Sequence, residues 1–490
     1  MNRRSTPGLG QWLAVSILVV GVIFLFYKLY EYSLFQAYMP AGLTIAGVDV
    51  GGMTDEQVEQ ILTDRYLNAP VMVEHPNGTF ELSPQDAEMR LDFEYMMSQA
   101  DFQRDQQDVW AGFWGFLWNR PIEVEMVELS ATHNRDRLRE VLEVIASEYD
   151  QPAEPPQPVP QSLTFQFGSA GMETNVDASL QNVENALYRA VGRDTRLVIE
   201  PVQPQRPDLL LLARLIVNHV QSFEGVTSVF IKNLDSGEEI TYQADVAMSG
   251  MDMLKVPIAL NVYRLLDASP TISQTILLSD TLLLQESQSA NQLLNMIAGE
   301  NDTYLGAEIV SESLQQLGLS NTFVLAGYDA GLLSGMRVPE TPANTREDVV
   351  TAPSQTMQTT TADIGSLLTM LYECARRNGG PIPIVFEGDV TAQECEAILQ
   401  TMSQNDIGSL IEGGIPPAVP AAHRHGWIND THGDAGIVFS PSGDYVIVMM
   451  MYKQDWLEWE LSSPMMADIS QATYNYFNFS EPFLGEATSN

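Results

Sequence analysis

The sequence predicts an α/β (α+β) protein in three parts: one apolar anchor helix, a small α/β module, and an antiparallel sheet covered by helices. Three observations predict it. Trp12 to Tyr27 carry neither charge nor proline. Two strand–turn–helix patterns stand on either side of a proline-rich stretch at 152–160. Strand-like runs open and close the stretch 208–480, with helical periodicity between them, as in a sheet completed by distant segments.

The chain has 490 residues, too many for one ordinary core. Its 45% hydrophobic and 18% charged residues are those of a folded protein. A net charge of −40 argues against nucleic acid as a partner, since phosphates would be repelled, and disfavours anionic lipid surfaces. The acidity reads as a soluble, self-repelling surface.

The first element is a transmembrane anchor over 11–35. Its sixteen continuous apolar or small residues are slightly short of a span, and Leu29 to Phe35, with their tyrosines, extend it to the interface. Arg3 and Arg4, in a tail over 1–10, hold that end in the cytoplasm and send the body outside. No good small-x-small cleavage site precedes Pro40, which favours an uncleaved single-pass anchor over a removed signal peptide.

The module covers 40–205. Its first strand leads through a glycine turn at Gly47 to a helix opening at Thr54, which has capping-box spacing to Gln57. Val58, Ile61 and Leu62 supply the apolar stripe. The pattern returns with a strand over 163–167, a helix after Asn175 marked by Leu180, Val183 and Leu187, and a closing strand over 196–202. The five prolines of 152–160 predict an extended connector between the halves. Trp110, Phe113, Trp114, Phe116 and Trp118 cannot all be buried on one helix face. Some are expected to pack inward, and the rest are either ordinary packed surface aromatics, the favoured reading, or a patch for a partner or the lipid interface.

The second domain runs over 208–480, followed by a tail over 481–490. Strands are expected at 226–232 and 239–242, and a helix at 251–266 with Pro257 in its first turns. Helices over 367–376 and 391–402 carry Cys374 and Cys395, the only cysteines. A disulfide and two buried thiols both fit. A hairpin over 433–452 follows, and Ser463-Pro464 reads as the N-cap and first residue of a terminal helix.

Lys255 is one of only four lysines, with Lys28, Lys232 and Lys453. Asp252 precedes it by three residues, so both side chains share one side of the first helical turn. A serine at 252 would be a hydroxyl that the amine helps to deprotonate for attack on a carbonyl. Aspartate is already an anion. It pairs with the ammonium, suits a helix N-terminus, and would give a mixed anhydride if it did attack.

Four segments in order carry a resemblance. They are Ser249 to Ile258; Leu284-Gln285-Glu286-Ser287 with the helix of Asn291, Leu293 and Leu294; Thr359 to Ile364; and Ala422 to Ile428 followed by Asp434 to Val438. Together they resemble the class A β-lactamase-like domain of the penicillin-binding serine hydrolase superfamily, whose pattern is Ser-x-x-Lys, Ser-Asp-Asn and Lys-Thr-Gly. Gly47 to Thr54, with Val176-Asp177, resembles a peptidoglycan-binding module that follows membrane anchors in bacterial envelope proteins.

The resemblance implies that Asp252 stands at the nucleophile position and Lys255 at the catalytic lysine. Gln285 and Ser287 replace the ends of the Ser-Asp-Asn triplet. Arg424, His425 and Gly426 stand in the substrate-binding strand, where Arg424 is expected to hold a substrate carboxylate. Ser249, on the approach to the helix, is not expected to rescue the missing hydroxyl. Glu347 reads as a surface residue. His423, His425, His432 and Asp434 are explained by the strand and hairpin, so neither metal nor cofactor is expected.

The expected function is that of a membrane-anchored, extracytoplasmic, catalytically degenerate member of the superfamily. It would bind peptidoglycan stem peptides, a β-lactam-like ligand or an envelope protein. The alternatives are an active serine hydrolase, of β-lactamase or D-alanyl-D-alanine peptidase type, and a structural docking spacer.

Overall fold

The computed structural model describes residues 9–105, 109–118, 125–266 and 268–485. The expected tail with Arg3 and Arg4, and the end of the 481–490 tail, lie outside the described residues. The chain divides into one unit of Met1–Glu154 and Ser169–Pro204 and a second of Pro155–Gly168 and Gln205–Asn490.

In the first unit the helix Leu9–Phe35 contains a stretch, Trp12–Phe35, that is long and apolar enough to cross a membrane. The helix Asp55–Thr63 opens with the capping box that the Thr54–Gln57 spacing predicts. Val71–His75 is the centre of a three-stranded sheet. Gly78–Leu82 pairs with it antiparallel and Asp194–Arg196 parallel. Leu62, Val71, Val73, Leu138, Leu142 and Val183 are fully buried in one core. The single closing strand expected over 196–202 is instead two. Leu197 turns into the core between Asp194–Arg196 and Ile199–Val202, and the latter pairs with Gly171–Thr174.

The proline-rich stretch is not only a connector. Gln157–Val159 pairs with Thr164–Gln166 as a two-stranded ribbon, where a missing proline N–H costs little, and Leu163 and Phe165 join the core of the second unit. Residues 155–168 therefore interrupt the expected 40–205 module.

The second unit is built on a five-stranded antiparallel sheet. Its strand order is Glu239–Tyr242, Val226–Asn233, Gly443–Tyr452, Thr431–Ser440 and Ala421–Trp427. Because side chains alternate along a strand, the central strand feeds two cores. Val446, Val448 and Met450 pack with the helices Lys255–Arg264 and Thr361–Arg377. Tyr445, Ile447, Met449 and Met451 pack with Leu209–Val220 and Trp459–Phe477. Both faces are covered, which is why this strand reads as an unbroken apolar run.

The terminal helix starts at Trp459, so Pro464 lies inside it and does not open it. The Trp459 ring packs on Trp427 and His432, and this tertiary contact extends the helix beyond its local start signal. Cys374 and Cys395, on Thr361–Arg377 and Ala392–Met402, form a disulfide with their Cα atoms 6.0 Å apart.

Candidate active site

The site lies where the edge strand Ala421–Trp427 meets the segment Met251–Leu254. That segment is a 3-10 turn continuing into the helix Lys255–Arg264, in place of a single helix over 251–266. Three residues per turn eclipse positions i and i+3, so Asp252 and Lys255 stand one over the other. Met251 begins the turn in the left-handed region, at φ 50°, and its carbonyl accepts from the Tyr328 hydroxyl at 3.0 Å. Gly426 lets the strand approach this turn. A Cβ there would fall 2.8 Å from the Asp252 nitrogen.

Asp252 is held at both oxygens. Oδ1 lies 3.1 Å from the Lys255 Nζ, and Oδ2 accepts from the Arg424 Nη2 at 2.8 Å. The Lys255 ammonium also donates to the carbonyls of Leu284 and Glu286, each at 3.1 Å. Arg424 donates to Leu284 O at 2.7 Å. The backbone leading into Gln285-Glu286-Ser287 thus solvates both cations. Two unit charges 3 Å apart attract by about 5 kcal/mol at an effective dielectric of about 20.

Burial lowers the pKa of Lys255, with Asp252 opposing and Arg424 adding to the fall. Arg424 is lowered by burial against the pull of Asp252. Burial drives the Tyr328 hydroxyl well above its ordinary value, so it stays a neutral donor.

The Asp252 side chain is 13% exposed, while those of Lys255 and Arg424 are fully buried. Asp252, Gln285 and Ser287 line a cleft of about 490 Å³ together with Ser249, Tyr328, Ser354 and Trp427. Arg424 does not line it. The expected role of Arg424 as an open clamp for a substrate carboxylate is therefore corrected. Its guanidinium is enclosed, with Nη2 bound to Asp252 and Leu284 O and Nη1 to Leu283 O, while Nε is buried without a partner among the described residues.

His425 lies beside the cleft. Gln285 Nε2 donates to His425 Nε2 at 2.7 Å, and burial lowers the pKa of that imidazole, keeping it neutral. Ser287 is the first residue of the helix Ser287–Ala298 and faces the cleft. The Ser249 hydroxyl accepts from the Ser354 N–H at 2.9 Å. No serine oxygen is among the hydrogen-bond partners of Lys255 in the described residues. Glu347 is exposed and away from the cleft lining.

His423, His425 and Asp434 bring ligand-type atoms within 4.8 Å of one another, all buried. The geometry already commits His423 otherwise. Its Nδ1 meets both Asp434 oxygens at 3.0 Å, and its Nε2 lies 3.3 Å from Glu412. Burial opposes charge on this ring, but Asp434 and Glu412 outweigh it and raise the pKa to about 10. The cluster is an imidazolium between two carboxylates.

Sequence reasoning missed Tyr328, whose ring lies 5.4 Å from the Lys255 Nζ. Asn291 fixes it by exchanging two hydrogen bonds with its backbone. The Asn291 helix was readable in the sequence. The Tyr328 loop has no periodicity that would have flagged it.

Residues 211–477 match the family model of the beta-lactamase enzyme family. Among solved structures the chain is similar to PBP-A, at 16% identity over 56% of this chain and 99% of that one, with a TM-score of 0.41. It is similar also to a β-lactamase from Sphaerobacter thermophilus, at 14% identity over 56% and 100%, with a TM-score of 0.42. A third is the β-lactamase of Desulfarculus baarsii, at 12% identity over 55% and 98%, with a TM-score of 0.41. No curated protein matches the chain. Since the family match takes in more than half of the chain, and with it both the sheet and the cleft, this protein belongs to the beta-lactamase enzyme family.

Proposed function

We propose that this chain is a catalytically silent member of its family, tethered outside the cytoplasm, which uses the cleft to bind rather than to hydrolyse. One observation carries the reading. The residue aligned with the nucleophile is a carboxylate held at both oxygens by two buried cations, and among the described residues no hydroxyl is a hydrogen-bond partner of Lys255. An acylating member needs that hydroxyl and amine together, and loss of one partner in such a unit removes most of the rate enhancement.

Gln285, Ser287, Ser354 and Tyr328 offer neutral hydrogen-bonding groups to a peptide-like ligand. A peptidoglycan stem peptide or a β-lactam-like ring fits that chemistry. The first-unit resemblance to a peptidoglycan-binding module and the apolar helix Trp12–Phe35 support a role at the cell envelope. The Cys374–Cys395 disulfide supports an oxidising compartment.

The test is intact-protein mass spectrometry after exposure to penicillin. No adduct is expected on the wild type, and a covalent adduct would overturn the silent reading. Ser249, Ser287 and Ser354 in the cleft lining favour a second reading, an active serine hydrolase. It requires nitrocefin turnover that disappears in Lys255→Ala. If neither adduct nor turnover occurs and the protein fails to co-sediment with sacculi, the docking-spacer reading replaces both.

A further inference from the structure

We propose that the short aromatic helix Val109–Leu117 lies in the interfacial layer of the same bilayer that Trp12–Phe35 crosses, as an uncharged foot beside the anchor. The inference rests on the anchor reading above. Its own support comes from composition, packing and depth.

Every residue of Val109–Leu117 is apolar or glycine. Trp110, Trp114 and Trp118 recur at intervals of four and so form one stripe on the helix and its final turn. They are 59%, 50% and 69% exposed. On the other side Phe113 is fully buried, with its ring centroid 5.6 Å from Tyr32. Phe116 lies 5.6 Å from Tyr32 and 5.1 Å from Phe35. The helix is therefore clamped by its phenylalanines to the last turns of the anchor, and it presents its tryptophans outward.

Depth identifies the occupant. The helix runs unbroken from Trp12 to Tyr32, and the two charged residues in that stretch, Lys28 and Glu31, pair with each other at 2.6 Å in its last turn, at the interface end. At 1.5 Å per residue this is about 30 Å, the thickness of a bilayer's hydrocarbon core. Tyr32 and Phe35 then fall at the boundary, and the tryptophan stripe packed beside them falls at the level where that side chain is enriched. The indole suits it, because its ring is large and amphipathic. A net charge of −40 disfavours anionic headgroups, so the contact is with acyl-chain tops and zwitterionic lipid.

The test reconstitutes the full chain in phosphatidylcholine vesicles, with and without lipids brominated near the top of the acyl chain. Flotation reports the anchor, and bromine quenching of tryptophan emission reports the foot. Wild type is compared with the triple variant Trp110→Phe, Trp114→Phe, Trp118→Phe, which keeps the surface apolar. Far-UV circular dichroism confirms that both are folded. The quenched emission is expected to fall by about twofold or more in the variant, leaving the contribution of Trp12. Equal quenching in the two proteins, with both floating, overturns the foot and leaves the anchor standing. Failure of the wild type to float overturns the anchor reading and the foot with it.

Discussion

Opposite faces of the strand Ala421–Trp427 carry two clusters of buried charge with opposite balances. On the cleft side two cations, Lys255 and Arg424, share the single carboxylate of Asp252 and lean on backbone carbonyls for the rest. On the far side one imidazolium, His423, has two carboxylates, and Asp434 also accepts from the Ile411 N–H. Burial wins for Lys255 and lowers its pKa, whereas the surplus of carboxylates wins for His423 and raises it to about 10. The contrast shows what Asp252 does. Where cations outnumber carboxylates, the lone carboxylate is held at both oxygens as their shared counter-ion.

The largest effect that would break this comparison comes from removing each carboxylate. Asp252→Ala should lose about 3–5 kcal/mol of stability, because Arg424 cannot shed its proton and is left buried without a counter-charge. Asp434→Ala should cost less, about 2–3 kcal/mol, since His423 can become neutral and Glu412 remains. Urea unfolding at neutral pH measures both. Adding Arg424→Met to Asp252→Ala should recover at least about 1 kcal/mol beyond additivity, as expected for residues in direct contact. The opposite ranking, or strict additivity, would remove Asp252 from the counter-ion role.

The next test is pH dependence, where the clusters have opposite signs. A raised folded pKa means that the His423 contribution is fully present below 6.5 and is lost as pH rises through about 10. The stability gap between wild type and His423→Gln should therefore close over that window. For Lys255 the folded pKa lies below 10.5, so the folded state releases its proton first and the burial cost eases as pH rises towards 10.5. Relative to Lys255→Met, wild type should gain stability there. Parallel slopes for the two pairs would contradict the assignment of opposite balances.

The smallest expected effect comes from Gly426→Ala. The added methyl would press on Asp252 N and the Met251 Cβ, so a shift of the 3-10 turn costing about 1–3 kcal/mol is expected from thermal unfolding. An unchanged midpoint would mean that the strand is free to move away from the turn.

Much of this architecture was legible locally. The Thr54–Gln57 capping box, the Gly443–Tyr452 hairpin strand and the Asp252–Lys255 spacing all depend on neighbours within a few residues. Misreadings arose where distant contacts override local signals. Pro464 looks like a helix start, but the packing of Trp459 on Trp427 moves that start upstream. The proline-rich stretch reads as a linker, but Leu163 and Phe165 beside it complete a core whose other members lie far along the chain. Tyr328 could not be found by pattern, because a loop residue acquires its meaning only from the turn it contacts.

By itself the sequence determined the order of the main strands and helices, the Thr54–Gln57 cap, and the i, i+3 spacing of Asp252 and Lys255. All of these follow from short-range periodicity and residue identity. Only the tertiary structure decided that Arg424 faces Asp252 instead of an incoming carboxylate. Those two residues are 172 positions apart and meet because the edge strand packs on a 3-10 turn. It also decided which charges are stripped of water, since desolvation is set by whatever covers a side chain and not by the residue that bears it.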